Sequence, residues 1–118
     1  MTQQNLYLGI DCGTQGTKAI VLDAGSGKVL GLGAASHTLL SGANGRREQH
    51  TQEWLDAFTE ATHRALQQAG VDGQDILAIG VSGQQHGLVL LDDQGQVLRP
   101  AKLWCDSARS HSRVRTLK

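Results

Sequence analysis

The sequence has no excess of charge. Eleven Lys and Arg stand against eleven Asp and Glu, so the formal net charge is zero. That balance gives no electrostatic footprint for nucleic acid or for an anionic membrane. No apolar run approaches the ~20 residues that a membrane-spanning helix needs. The opening MTQQNLYLGI lacks the basic start and long apolar stretch of a signal peptide, so the chain is read as cytoplasmic. Cysteine is scarce. Cys12 and Cys105 stand far apart without metal spacing, which reads as two free thiols in a reducing compartment. Internal repeats of 20 to 50 residues and low-complexity segments are also missing. At 118 residues the chain is at most one domain, with a modest core and little room for a second lobe.

What is present is a clear order of elements. LYLGID, 6–11, and AIVLD, 19–23, are short apolar runs, and KVLGLGAAS from Lys28 alternates. The turns CGTQGT and AGSG separate them, so the opening reads as a three-stranded antiparallel meander. Residues 36–50 read as a loop with a charged patch at Arg46, Arg47 and Glu48. A helix is expected from Thr51 as N-cap to Gly70. Its apolar face carries Trp54, Leu55, Phe58, Ala61, Ala65, Leu66 and Ala69. ILAIGVSG, 76–83, reads as a buried strand, LVLLD, 88–92, as another, and 96–104 as a last extended stretch. The expected class is α/β, in the order β-β-β-α-β-β-β, with a helix starting after Asp106.

IDCGTQGTK, 10–18, concentrates the groups a phosphate needs. It lacks the spacing of the two commonest phosphate loops. Gly13 and Gly16 are three apart, and Thr17 separates Gly16 from Lys18, which excludes a Walker A loop. KAIVLD after it is a strand, so no helix N-terminus is available to attract the anion. A hairpin clamp would use the amides around Gly13 and Gly16, the Thr14 and Thr17 hydroxyls, Gln15 and the Lys18 charge. Asp11 makes sense there as a carboxylate holding a hydrated Mg²⁺. On spacing alone, a plain glycine turn with a surface lysine fits as well.

Asp-x-Gly-Thr with a basic residue seven after the Asp resembles the first phosphate motif of the sugar kinase, Hsp70 and actin superfamily. EQHTQEWL at 48–55, GVSGQQHGLVLLD at 80–92 and LRPAKLWCD at 98–106 narrow the resemblance to the FGGY carbohydrate kinases, and within them to the xylulokinase branch. The resemblance covers nearly the whole chain. It implies a ribonuclease-H-like fold, of which residues 1–118 form the N-terminal part of domain I. It also implies ATP and Mg²⁺ as cofactors and a ketopentose, D-xylulose first, as acceptor. Ribulose, fuculose, gluconate and glycerol kinases of the family are alternatives, as is a non-enzymatic actin-like ATP-binding module. Nucleotide contacts fall on Asp11, Gly13, Thr14, Gln15 and Lys18, with Asp11 toward the metal. The resemblance leaves a homodimer open for the full-length parent.

Gln84, Gln85 and His86 lie at a strand end, where α/β sheets bind ligands, and offer directional groups for a polyol. A polar loop whose histidine bonds backbone is the other reading. By resemblance, Gln85 and His86 are sugar contacts, although Gln85 stands where xylulokinases carry Met. Trp104 is either core or, by resemblance, a wall against the carbon face of the sugar. Asp106 either accepts from a hydroxyl or caps the following helix, and Ser107-Ala108-Arg109 favours the cap. The resemblance places the general base, an Asp, further along than Lys118, with the adenine pocket in a second lobe. The expectation is therefore a fragment inactive alone, self-associating through uncovered sheet edges.

Overall fold

The computed structural model of the chain describes residues 5–108. β1 (Leu6–Cys12), β2 (Gly16–Asp23) and β3 (Lys28–Ser36) form the expected antiparallel meander. Leu6, Leu8 and Ile10 of β1 and Ala19 and Val21 of β2 are buried on one face, as period-two alternation dictates. β4 (Leu40–Ser41) and β5 (Arg47–Gln49) follow, then α1 (Thr51–Ala69), β6 (Ile76–Gly83) and β7 (Ala101–Lys102). β6 pairs with β1 in parallel, so the main sheet has the order β3-β2-β1-β6. A parallel pair needs a crossover connection, and α1 lies within it. The mixed α/β class stands.

The helix rests on the sheet through missing side chains. Ala57, Ala61 and Ala65 recur every four residues and are the buried residues of α1. Gly31 and Gly33 recur every two on the facing side of β3. A Cβ on Gly31 would lie 2.1 Å from the Ala65 carbonyl oxygen, and one on Gly33 2.0 Å from that of Ala61. Only glycine allows this approach. Leu8, Ile10, Ala19, Val21 and Ala35 complete the core, with Phe58 and Leu66 packed against it.

Several local expectations are corrected. Gln49 is anchored by its pairing with Ala101, so the chain leaves β5 extended at His50 and turns helical at once. His50 is therefore the N-cap position, without a side-chain cap bond, and Thr51 is the first helical residue. Gly70 ends the helix in the left-handed conformation, as expected. Leu55 is 63% exposed, because two positions from Ala57 is the opposite side of a helix. The stretch expected as a loop contains β4 and β5, which join β7 in a second sheet of order β4-β5-β7. There the Glu48 carboxylate is buried and meets both Arg46 and Arg99.

β6 forms as expected, but it is not buried. Leu77, Ile79 and Val81 are 60%, 53% and 68% exposed. α1 lies over β2 and β3, so among the described residues neither face of this edge strand is covered. The strands expected at 88–92 and 96–104 shrink to isolated bridges, Leu91 with Val97 and Leu88 with Lys102, plus the two residues of β7. Pro100 has no N–H to give a ladder. The Asp92 carboxylate takes the Gln94 and Gln96 amides at 2.8 Å each and closes a local turn, across which Asp92 N–H donates to the Gln96 carbonyl and Leu98 N–H to that of Leu90. The helix expected after Asp106 lies outside the described residues.

Candidate functional site

The hairpin between β1 and β2 is a short clamp. Gly13 N–H donates to the Gly16 carbonyl at 2.9 Å. A Cβ on Gly16 would meet the Ala35 carbonyl oxygen at 2.7 Å, so the turn lies directly on β3. His37 fastens it from below. Its amide donates to the Gln15 carbonyl at 2.9 Å, and its Nε2 pairs with Thr17 Oγ1 at 2.8 Å. Thr17 is 1% exposed, so its hydroxyl is engaged with His37 rather than offered to a ligand. Asp11 and Lys18 stand opposite each other in the ladder, and both side chains are exposed. With Gly13, Thr14 and Gln15 they line a cleft of about 770 Å³ that Glu60 and Arg64 of α1 close on the far side.

The loop after β6 ends beside this hairpin because β6 runs parallel to β1. Cys12 pairs with Gly83, and the Gln84 amide donates to the Cys12 carbonyl at 2.9 Å. Both strands therefore release their chains at one edge, the carboxyl end of the sheet. His86 has φ +61°, a left-handed conformation that costs a non-glycine residue about 1 kcal/mol or more. Such strain is found where the backbone is held for a purpose, and His86 and Gln85 are both exposed at this spot. Trp104 arrives from the segment after β7. It is 59% exposed, so it is no core residue, and its indole N–H donates to Thr14 Oγ1 at 3.0 Å. Asp11, Gly13, Thr14, Gln85, His86 and Trp104 line one cleft of about 440 Å³.

The structure thus brings all the expected nucleotide and sugar residues to one end of the main sheet. Asp11, Gly13 and Thr14 line both clefts, so the hairpin is the wall between them. Gln15 and Lys18 face only the larger cleft, and Gln85, His86 and Trp104 only the smaller. Asp11 is the one carboxylate among the residues lining the smaller cleft, and it accepts a long bond from the Ser82 hydroxyl at 3.5 Å. No group of three or more His, Cys, Asp and Glu that could hold a metal exists among the described residues. A lone carboxylate of this kind suits a metal ion held largely by water and phosphate oxygens.

Asp106 does not face the cleft. Its side chain is buried, and its oxygens accept from Lys102 Nζ at 2.7 Å, the Arg47 amide at 2.9 Å and the Ala108 amide at 2.8 Å. Burial pushes its pKa up, but the Lys102 hydrogen bond and the two backbone amides outweigh that and lower it from 3.8 to about 2. The helix it is expected to cap lies outside the described residues, but its bonds are all to the protein. The carboxylate ties the chain after β7 to β5 and accepts the amide two residues on.

Sequence reading missed Gln49 and undervalued Trp54 and Gln84. Trp54 is half-buried, not plain core, and its indole N–H donates to Gln49 Oε1 at 2.8 Å. Gln49 Nε2 donates to the Thr14 carbonyl at 2.5 Å, and Gln84 bonds both Gln49 and Thr14. A glutamine just before a helix carries no local signal for such a position. His37 had no signal either. Both cysteines are free, as expected. No helix among the described residues is long and apolar enough to cross a membrane.

An α/β sheet thus carries a glycine hairpin and a polar strand-end loop at one edge, with two adjoining clefts between them. Comparison with known proteins gives the family. The profile of the FGGY family of carbohydrate kinases, N-terminal domain, matches residues 6–118. A xylulose kinase of Haemophilus influenzae is 52% identical over 106 residues, covering 86% of this chain and 22% of that protein. Among solved structures, a xylulose kinase from Rhodospirillum rubrum superposes with a TM-score of 0.76 at 30% identity, over 86% of this chain and 21% of that one. A gluconate kinase from Lactobacillus acidophilus gives 0.78 at 28% identity, over 87% and 20%. The chain belongs to the FGGY family of carbohydrate kinases. It spans about a fifth of the length of these relatives.

Proposed function

We propose that the chain is the N-terminal part of domain I of a carbohydrate kinase that transfers the γ-phosphoryl group of ATP to a ketopentose, D-xylulose being the first candidate. One observation carries this reading: the hairpin of Gly13 and Thr14 is the shared wall of two clefts, one with Lys18 and the other with His86. Phosphoryl transfer needs donor and acceptor in adjoining sites, because the acceptor hydroxyl must come in line with the γ-phosphate. In this reading the Gly13 amide, Thr14, Gln15 and Lys18 bind the nucleotide's phosphates. Asp11 would hold Mg²⁺ through water, and a metal bound there would supply charge neutralisation for phosphoryl transfer. Gln85 and His86 accept and donate to sugar hydroxyls, and Trp104 packs against the sugar's C–H face. The general base and adenine contacts belong to residues beyond this chain, so the chain alone is inactive. The relatives named as xylulose kinases support the acceptor.

The test is a coupled ADP-release assay on the full-length protein with D-xylulose, D-ribulose, L-fuculose, D-gluconate and glycerol. The expected result is turnover with D-xylulose above the others, and none from residues 1–118 alone. A full-length protein that turns over no member of the panel overturns the kinase reading. A second acceptor class has two observations behind it. Gln85 lies exposed in the smaller cleft as an amide, and the gluconate kinase superposes as well as the xylulose kinase. Preference for D-gluconate in the same assay would establish it.

A further inference from the structure

Gln49 is 0% exposed and lines neither cleft, yet its amide meets both walls of the smaller one. Chemistry fixes which way that amide points. An indole nitrogen only donates, so the atom facing Trp54 Nε1 at 2.8 Å is the carbonyl Oε1. A backbone carbonyl only accepts, so the atom facing the Thr14 oxygen at 2.5 Å is Nε2. Gln84 Nε2 donates to the same Oε1 at 3.2 Å. The network closes without a conflict of polarity. Thr14 Oγ1 donates to Gln84 Oε1 at 3.2 Å and accepts from Trp104 Nε1 at 3.0 Å.

A buried amide with each end committed cannot turn freely. Were the Thr14 carbonyl to shift as a phosphate enters, Nε2 would follow or be left unsatisfied in the interior. The plane of the amide carries that motion to Oε1, and so to Gln84 and the loop that holds His86. The direct Thr14–Gln84 hydroxyl bond lies at the cleft surface, where ligand groups compete for it. The Gln49 link does not face that competition.

We propose that Gln49 is a positioning residue that couples the two clefts, so that nucleotide in one strengthens sugar binding in the other. The inference rests on the assignment of those clefts as nucleotide and sugar sites. D-Xylulose binding to the full-length protein is measured by titration calorimetry, with and without saturating magnesium and the non-hydrolysable ATP analogue AMP-PNP. In the wild type the analogue is expected to tighten sugar binding about tenfold. Gln49→Glu is isosteric and keeps the acceptor toward Trp54 and Gln84, but sets an oxygen against the Thr14 carbonyl. It is expected to bring the ratio to about one while sugar affinity without nucleotide stays within about threefold. Gln49→Met removes the donor and the acceptor together without adding charge and carries the same expectation. If both fail to fold, Gln49→Asn keeps the amide but is one methylene too short to span from Thr14 to Gln84, and it carries the same expectation. A purely structural defect would weaken sugar binding with and without nucleotide alike and leave the ratio intact. A wild-type ratio of one, or variants that retain the tenfold effect, overturns the proposal. A wild type that binds nucleotide but no sugar instead overturns the functional assignment, in an arm that involves no variant.

Discussion

The two ends of the chain are held by different physics. From β1 to α1 the molecule is packed: glycines of β3 lie against the α1 backbone, and the core between them excludes water. From β6 onward it is tied. Leu77, Ile79, Val81, Leu91 and Leu98 are all more than half exposed, and, the buried Ala101 and Leu103 apart, the segment to residue 108 is held to the rest of the described chain mainly by hydrogen bonds. The hairpin proposed to hold phosphate belongs to the packed part, and the loop proposed to hold the polyol belongs to the tied part. Packing gives a rigid clamp for a constant ligand such as phosphate. Directional bonds give a loop that can be changed residue by residue, which suits a variable ligand such as a sugar.

The sharpest way to break this contrast is Gly33→Val. Any side chain there collides with the Ala61 carbonyl, so the variant of the full-length protein should lose about 3 kcal/mol or more in urea denaturation. A loss under about 1 kcal/mol would show that α1 can lift off β3 and that the first part is not tightly packed. Lys18→Met should act on the larger cleft alone. It removes a charge-assisted contact worth about 1.5–3 kcal/mol, so KM for Mg-ATP should rise more than tenfold while KM for sugar holds. His86→Ala should do the reverse. Loss of about 1–1.5 kcal/mol of hydrogen bonding raises the sugar KM roughly tenfold and spares that for Mg-ATP. If the sugar KM were unchanged, the loop would not be the polyol site.

The smallest effect concerns Asp106. Its folded-state pKa, about 2, lies below the ordinary 3.8, so the ionised carboxylate stabilises the fold. That contribution is present above pH 3.8 and is lost as pH falls through 2. Wild-type melting temperature should therefore drop across this window by more than that of Asp106→Asn, which has no carboxylate to protonate. Parallel pH curves for the two proteins would show that the tie to Lys102 and Arg47 does not hold the second part.

Much of the packed part was legible in the sequence. The apolar runs at 6–11 and 19–23, the alternation from Lys28 and the helical spacing of Phe58, Ala61 and Ala65 are local patterns, and Gly70 is a local stop signal, whereas Ala57 was missed. The tied part was less legible, for a reason visible in Pro100 and Asp92. An apolar run says that a strand is favourable, but here the pairing stays at isolated bridges, with Pro100 lacking a donor and the Asp92 carboxylate taking two amides. β6 shows the same limit. ILAIGVSG reads as buried because its composition is apolar, yet burial depends on what covers it, and α1 lies elsewhere.

By itself the sequence determined the meander, the helix, the residue types of the clamp and the loop, and the family. These follow from periodicity and from short motifs, which the chain carries within a few residues. Only the tertiary structure decided that one hairpin walls two clefts and that Trp104 bonds a threonine 90 residues away. It alone placed Gln49 at the centre, 35 residues from Thr14 and 35 from Gln84. The physical reason is that a side-chain hydrogen bond is specific in geometry but indifferent to separation along the chain. Nothing in the neighbours of Gln49 announces the partners that strand pairing brings to it.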